Sequence, residues 1–427
     1  YSNFDITEKI KENLSVETIL KNAFKRTDGG YNMVGMIGHG AAFVMRDPNG
    51  IRPSFWYAND EMLIVASERP AIATTFNVPY TKINEVTPGC ALIINKDGSY
   101  NETRILEQKE KRSCSFERIY FSRGNDADIY NERKALGQLL APTVIEKLEN
   151  DIDNTVFSYI PNTASTSFYG ILEGVNDWLK TRRTEQLMLE NGTLTPERIK
   201  EILTYRIRHE KILVKDAKMR TFITNDADRE DLVGHAYDVT YGIIKPNIDT
   251  LVIIDDSIVR GTTLKTSILK ILGRLEPKKI IVVSSAPQIL YPDCYGIDMS
   301  RLKDFVAFRA LLELLKDTKQ EHKLTEVYEL CKLEMQKPVE DMVNQVNQLY
   351  NMFTQEQISE KIAEIVTPEN FKPKVEIIYQ TVENMHKAIP NHSGDWYFTG
   401  NFPTQGGVKI ANRAFIYFME KNTARAY

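Results

Sequence analysis

Long apolar runs are missing from this sequence, and none is long enough to cross a bilayer as a helix. Cysteine is scarce. Cys90, Cys114, Cys294 and Cys331 are scattered without metal-ligand spacing, so a reducing cytoplasm is the default compartment. Histidine is sparse too: His39 falls in a turn, and His209, His235, His322, His386 and His392 each stand alone, so all read as surface or structural residues. Excess charge of one sign is also lacking. A net charge of −4 gives no general pull toward nucleic acid or membrane. There is no repeat and no low-complexity tract, and Tyr1-Ser2-Asn3-Phe4-Asp5 is not a signal peptide. What is present is 427 residues, 42% of them apolar and 26% charged: enough for two or three domains with sizeable cores and a soluble surface.

One stretch organises the rest. Thr250-Leu251-Val252-Ile253-Ile254 is a short β-branched run that reads as a buried strand. Leu264, Ile268, Ile271, Leu272 and Leu275 follow at helical spacing, and Lys279 to Ser285 reads as a second buried strand. A strand–loop–helix–strand unit predicts parallel strands with a right-handed crossover. Between strand and helix lies Asp255-Asp256-Ser257-Ile258-Val259-Arg260-Gly261-Thr262-Thr263. Its small and hydroxyl residues, with the helix start, predict an anion cradle of main-chain N–H groups. Two carboxylates at a strand's C-terminal end, beside that cradle, suit a sugar phosphate with vicinal hydroxyls and help hold Mg²⁺ on a diphosphate. A P-loop would need Gly-x-x-x-x-Gly-Lys-Ser/Thr and a dinucleotide fold Gly-x-Gly-x-x-Gly; both are absent.

Val252 to Thr263 resembles the phosphoribosyl pyrophosphate (PRPP) signature of type I phosphoribosyltransferases. Together with Ser284-Ser285-Ala286-Pro287 and Tyr295-Gly296-Ile297-Asp298-Met299 it is similar to the glutamine PRPP amidotransferases within that class. The resemblance implies formation of 5-phosphoribosylamine, the opening step of de novo purine synthesis. It implies PRPP and glutamine or ammonia as substrates, Mg²⁺ as cofactor, a cytoplasmic homo-oligomer, purine nucleotides as feedback inhibitors, and neither nucleic acid nor membrane as partner. The expected fold class is α/β: a type I phosphoribosyltransferase parallel-sheet domain, a partial N-terminal-nucleophile glutaminase sandwich, and C-terminal helices. The expected boundaries are 1–110 for the glutaminase part, 111–300 for the transferase domain, and 301–427 for helices and tail.

In the first segment, Ile10, Leu14, Ile19 and Leu20 predict a helix within 6–26. Residues 31–37, 41–45, 54–57, 62–66 and 91–95 predict short strands in an antiparallel meander, with Gly38-His39-Gly40 and Asp47-Pro48-Asn49-Gly50 as turns. Gly29-Gly30-Tyr31, Arg46 to Pro53 and Val65-Ala66-Ser67-Glu68 resemble the second half of the family's glutaminase domain. The family's nucleophile is an N-terminal cysteine; residue 1 here is Tyr, and Cys90 matches no catalytic position. The expectation is an N-terminally truncated chain that cannot hydrolyse glutamine by itself.

In the middle segment, Phe116 to Arg123 reads as a strand, Tyr130 to Leu148 as a helix and Asn154 to Ile160 as a strand. Pro161-Asn162-Thr163-Ala164-Ser165 is a second loop of small hydroxyl residues before a helix, able to bind an oxyanion. The resemblance places the diphosphate there, at Asn162 and Thr163, with Asn162 standing where the family usually has an acid. Gly170 to Lys211 reads as an inserted helical excursion, with Thr195-Pro196 a strong helix start. Lys215, Lys218 and Arg220-Thr221-Phe222-Ile223 resemble the family's flexible catalytic loop. Lys215 and Arg220 are the catalytic candidates, set to neutralise the departing diphosphate. The binding candidates are Asp255, Asp256, Ser257, Ile258, Val259, Arg260, Gly261, Thr262, Thr263, Asn162 and Thr163, with Asp255 and Asp256 also the metal candidates.

In the final segment, residues 306–315, 324–335, 339–349 and 358–365 predict amphipathic helices. Trp396 to Pro403 resembles a family segment whose cysteines bind an iron–sulfur cluster. Gly394 and Tyr397 stand at two of those places, Cys114 lies near another ligand position and Cys294 is one residue off the third, so no cluster is expected. A nucleobase phosphoribosyltransferase and a PRPP-sensing homologue without turnover are the two other readings of the same loop.

Overall fold

The computed structural model describes residues 2–215, 237–297 and 299–426, without the side chains of residues 11 and 12. It opens with α1 (Asn3–Asn13) and α2 (Val16–Phe24) where one helix was expected. Leu14 and Ser15 are extended, and the Ser15 hydroxyl accepts from Thr18 N–H, so the helix restarts there. Val16, Leu20 and Phe24 then line one buried face, while Ile10 and Ile19 stay exposed. The strands β1 (Asn32–Met36), β2 (Ala42–Arg46), β3 (Phe55–Ala58) and β4 (Leu63–Ala66) fall where expected. Past α3 (Arg69–Phe76) come β5 (Asn84–Glu85), β6 (Cys90–Ile94) and β7 (Tyr100–Arg104). They do not make one meander. They form two antiparallel sheets, ordered β1-β2-β6-β7 and β4-β3-β5. The Asp47 carboxylate, accepting from Asn49 and Ile51 N–H, turns the chain from one sheet to the other. The buried Arg46 guanidinium ties the two, donating to the carbonyls of Arg52 (3.0 Å) and Val86 (2.6 Å) and to Glu85 (2.7 Å).

The middle of the chain contributes α4 (Ala127–Lys147), β8 (Thr155–Tyr159), α5 (Ser165–Leu189) and α6 (Pro196–Thr204). β9 (Arg208–His209), β10 (Leu213–Lys215), β11 (Tyr237–Val239), β12 (Thr250–Asp255) and β13 (Lys279–Ser284) follow. β10 and β11 pair as a separate antiparallel ribbon, while β8, β9, β12 and β13 with β14 (Lys374–Tyr379) build a five-stranded parallel sheet ordered β14-β13-β12-β8-β9. Strand residues alternate between two cores. Val252, Ile254, Ile281 and Val283 face α4 and α5, while Leu251, Ile253, Ile280 and Val282 face helices Val306–Asp317 and Gln355–Val366. A sheet covered on both sides explains the unbroken apolar runs. α4 and α5 touch backbone to backbone: a Cβ on Gly137 would sit 1.9 Å from the Ser167 carbonyl, and one on Gly170 1.9 Å from that of Lys134.

Three expectations are corrected. Phe116 to Arg123 is no strand; Glu117–Phe121 is a π-helical turn, because Arg118 and Ile119 are buried together and Arg118 pairs with Glu132 on α4 at 2.6 Å. Residues 339–349 form a short turn, Val339–Asp341, and a short helix, Asn347–Tyr350, after Pro338 rather than one amphipathic helix. The segment read as C-terminal helices and tail also supplies β14, which pairs along its length with β13. No described helix is long and apolar enough to cross a membrane.

Candidate functional site at the sheet tips

β12 ends in the carboxylates. β13 holds their main chain in place: Ser285 N–H donates to the Asp255 carbonyl at 2.9 Å and Ala286 N–H to that of Asp256 at 3.0 Å. The chain then loops through 257–263 into a π-helical turn, Leu264–Ile268, and the helix Leu269–Gly273, with Leu264, Ile268, Leu269 and Leu272 buried. The helix predicted beyond Thr263 is therefore present, opened by a wide turn.

The loop is braced from beneath. Val306 N–H donates to the Val259 carbonyl at 2.9 Å, and the Arg309 guanidinium donates to that of Arg260. Gly261 has φ +69, and a Cβ there would lie 2.9 Å from Val366 and 3.1 Å from Val306, so only glycine fits. Bracing through carbonyls leaves the donors free. Among the described residues, no hydrogen bond is made by the main-chain N–H groups of Ile258 to Thr263. Thr262 and Thr263 are exposed at the helix start. Free amides and two hydroxyls in one short loop are what an oxyanion needs.

The loop opens on a cavity of about 380 Å³ lined by residues 255–264, the aromatic rings of Phe116, Tyr120 and Phe121, and Ile297 and Met299. Asp255 and Asp256 are partly exposed to it. Burial and the neighbouring Asp256 charge raise the Asp255 carboxyl well above the usual carboxylate range. Burial raises Asp256 to about 6, against the opposing pull of hydrogen bonds from Ser257 and Thr163 and the Arg133 charge. Two acids crowded with little compensation make a favourable place for a cation. Among the described residues, no group of three or more metal-binding side chains converges anywhere. A divalent ion here would rest on two carboxylates and otherwise on its ligand, which is how Mg²⁺ binds phosphates.

The second predicted loop reaches the same place. β8 and β12 are parallel neighbours, so their end loops lie side by side, and the Thr163 hydroxyl is near enough to Asp256 to draw its carboxyl down. Asn162 is exposed beside it. Ala164 is the N-cap of α5 and no side chain caps the helix, so Thr163 is not spent on it.

Lys215 closes β10 and pairs with Tyr237 across the β10–β11 ribbon, its ammonium 5.9 Å from the Tyr237 ring. Burial and the charges of Asp255 and Asp256 raise the Tyr237 hydroxyl, which places that ring near the carboxylates. Arg220, with Lys218 and the acidic stretch after it, lies outside the described residues.

Sequence reasoning missed Arg133, Tyr120 and Tyr237. Arg133 is buried in α4, donating to the carbonyls of Arg118 (2.9 Å) and Ser122 (2.7 Å), with its charge felt by Asp256. The signal was available: Arg133 lies three residues before Leu136, on the helix's apolar stripe, and a lone cation on such a stripe asks for a reason.

The four positions compared above with iron–sulfur ligands do come together. Cys114 bridges to Gly394, and Cys294 packs against the core that holds Cys114, Trp396 and Tyr397. The Tyr397 ring is fully buried there, with its hydroxyl donating to Asp293 at 2.5 Å. Burial pushes the Cys114 thiol up to about 12. Two protonated thiols, a glycine and a packed tyrosine do not fit a cluster.

No family model matches the chain. It is similar to the amidophosphoribosyltransferase of Saccharomyces cerevisiae, 30% identical over 304 residues, covering 68% of this chain and 52% of that protein. The Bacillus subtilis enzyme of that name is 29% identical over 294 residues, covering 67% and 52%. The Escherichia coli one is 26% identical over 289 residues, covering 65% and 50%. The chain thus spans about half the length of the curated relatives it matches. Its fold matches glutamine PRPP amidotransferase from B. subtilis, solved with ADP and GMP: TM-score 0.59 at 23% identity, over 94% of this chain and 71% of that one.

Proposed function

We propose that this chain is an amidophosphoribosyltransferase: it binds PRPP with Mg²⁺ at the tips of β8 and β12 and forms 5-phosphoribosylamine with ammonia. The observation that carries this is the pair of neighbouring strand-end loops beside Asp256, one of them with its amides free. Ile258 to Thr263 would hold the 5-phosphate, and Asp255 and Asp256 the ribose hydroxyls and Mg²⁺. Asn162 and Thr163 would take the diphosphate. Lys215 and Arg220 are assigned to the leaving group, whose charge builds as the bond to C1 loosens. Ammonia then attacks C1, and no protein nucleophile is required. Mg²⁺ supplies charge neutralisation on the diphosphate. Phe116, Tyr120 and Phe121 would screen C1 from water. Four free cysteines fit a cytoplasmic setting. We assign residues 1–110 to a partial glutaminase unit and 111–300 to the transferase, completed by β14 from the last segment.

The test is diphosphate release from PRPP with ammonia and Mg²⁺, for the wild type and Asp256→Asn. Turnover in the wild type and a loss of about 100-fold or more in the variant are expected. PRPP binding without release would establish the sensing reading instead. Release that requires a nucleobase would establish the nucleobase transferase.

A further inference from the structure

Arg52 joins two pieces of chain that line the sheet-tip cavity, although it lines none of the cavity itself. The first piece is the π-helical turn Glu117–Phe121, which carries Tyr120 and Phe121 and is closed by Ser122 N–H on the Glu117 carbonyl at 2.9 Å. The second is the loop that carries Ile297 and Met299. There the Asp293 carboxylate accepts from Tyr295 N–H at 3.0 Å and Ile297 N–H at 2.5 Å, and Asp293 N–H donates to the Met299 carbonyl at 2.9 Å. Each piece is closed on itself by its own hydrogen bonds. Arg52 Nη1 donates to the Glu117 carboxylate, while its Nε and Nη2 donate to the Tyr295 carbonyl at 3.2 and 2.9 Å. Among the described residues no hydrogen bond runs directly from the turn to the loop, and Arg52 is the one side chain bonded to both.

Arg52 is held in turn from the antiparallel sheets. Arg46 Nε donates to its carbonyl at 3.0 Å, and the neighbouring Ile51 is fully buried in the core that also holds Phe116, Ile119 and Tyr295. A planar guanidinium fixes the angle between two acceptors as well as their distance, which an ammonium cannot do. We propose, on the phosphoribosyl reading above, that Arg52 is a positioning residue of the transferase cavity. It sets the aromatic turn against the Ile297 loop, so the antiparallel unit completes a site to which it gives no lining atom. The chemistry at stake is which nucleophile reaches C1 of PRPP. In either case the C1–O bond to diphosphate breaks and the attacking group sheds one proton to solvent. Ammonia forms a C1–N bond and gives 5-phosphoribosylamine; water forms a C1–O bond and gives ribose 5-phosphate. An aromatic screen held in place favours the first.

Diphosphate release from PRPP and Mg²⁺ would be measured with and without ammonia, for the wild type, Arg52→Gln, Arg52→Lys and Glu117→Gln. The ratio of ammonia-dependent to ammonia-independent release should fall about tenfold in Arg52→Gln and Glu117→Gln. PRPP affinity by calorimetry should change less than about threefold, since Arg52 does not touch the amides of Ile258 to Thr263. Arg52→Lys keeps the charge without the fork, so it should fold and give a ratio between the two. A residue that only stabilises the fold would lower both rates together and leave the ratio alone. An unchanged ratio in folded Arg52→Gln and Arg52→Lys would overturn the assignment. Should the wild type release no diphosphate with ammonia, the amidotransferase reading falls and hydrogen exchange decides the role of Arg52. Faster exchange in Arg52→Gln at both 117–121 and 293–297 would uphold it, and acceleration confined to 46–53 would overturn it.

Discussion

Buried charge is used in two opposite ways in this molecule. In and around the two antiparallel sheets, arginines that are buried or half-buried are paired with acids: Arg46 with Glu85, Arg52 with Glu117, Arg69 with Asp126, and Arg118 with Glu132. At the sheet tips, Asp255 and Asp256 face each other with only hydroxyls, main-chain N–H groups and a remote guanidinium in compensation. Those pairs are satisfied internally and need nothing further. The tips hold a surplus of negative charge that the fold alone does not settle, so they are where a cation and its phosphate ligand would be stabilising.

The largest expected effect comes from breaking one of those pairs. Arg46 is 1% exposed and bonds three carbonyls besides Glu85. Arg46→Met should destabilise the fold by about 3–5 kcal/mol, since carbonyls and a carboxylate are left without donors. Urea unfolding would measure it. A loss below about 1 kcal/mol would mean that the arginine is not the tie between the two sheets.

Next is the cradle. Gly261→Ala places a methyl group against Val306 and Val366 on a backbone of φ +69, where alanine is strained. The loop must move, and PRPP affinity should fall by tenfold or more while the sheet survives, because the amides no longer point together. Calorimetry with PRPP and Mg²⁺ checks this. Undiminished affinity would separate the phosphate site from this loop.

The tips should also be legible in a pH titration. A carboxyl raised when folded contributes stability that is fully present below its unfolded value and is lost as pH climbs through the folded one. For Asp256 that window runs from 3.8 to about 6. The span corresponds to at most about 3 kcal/mol, and less for a side chain open to the cavity. Metal-free protein should therefore lose Tm between pH 4 and about 6.5 relative to Asp256→Asn, and added Mg²⁺ should narrow the difference. Parallel curves for the two proteins would show that the carboxylate pair carries no surplus.

What could be read in advance follows the range of the forces involved. β12, its loop and β13 are consecutive, so periodicity, turn chemistry and strand order were all local and all legible. β14 was not, because Lys374 to Tyr379 joins β13 from about ninety residues away, and sheet membership at that distance is decided by packing. The π-helical turn at Glu117–Phe121 looked like a strand because its aromatics are contiguous. The burial of Arg118 against Glu132, which only the assembled fold provides, settles it as helical. Likewise the acids of the site were visible, but the cation that tempers them was not. A charge within a helix declares its function only once its neighbours across the fold are known.

That cation gives the smallest and most specific effect. Arg133 touches no part of the cavity, and its nitrogens are engaged with the carbonyls of Arg118 and Ser122. It therefore acts on Asp256 through charge alone, holding that carboxyl lower than burial would leave it. Arg133→Gln keeps a donor for one carbonyl and removes the charge. Asp256 should then hold its proton to higher pH, and the midpoint at which Mg²⁺-dependent PRPP binding fails on acidification should move upward by less than about one unit. A structural role alone would lower stability and leave that midpoint where it was. A midpoint unchanged in a folded Arg133→Gln protein would confine the arginine to holding α4 against the 118–122 turn, and Asp256 would owe its ionisation to Ser257 and Thr163.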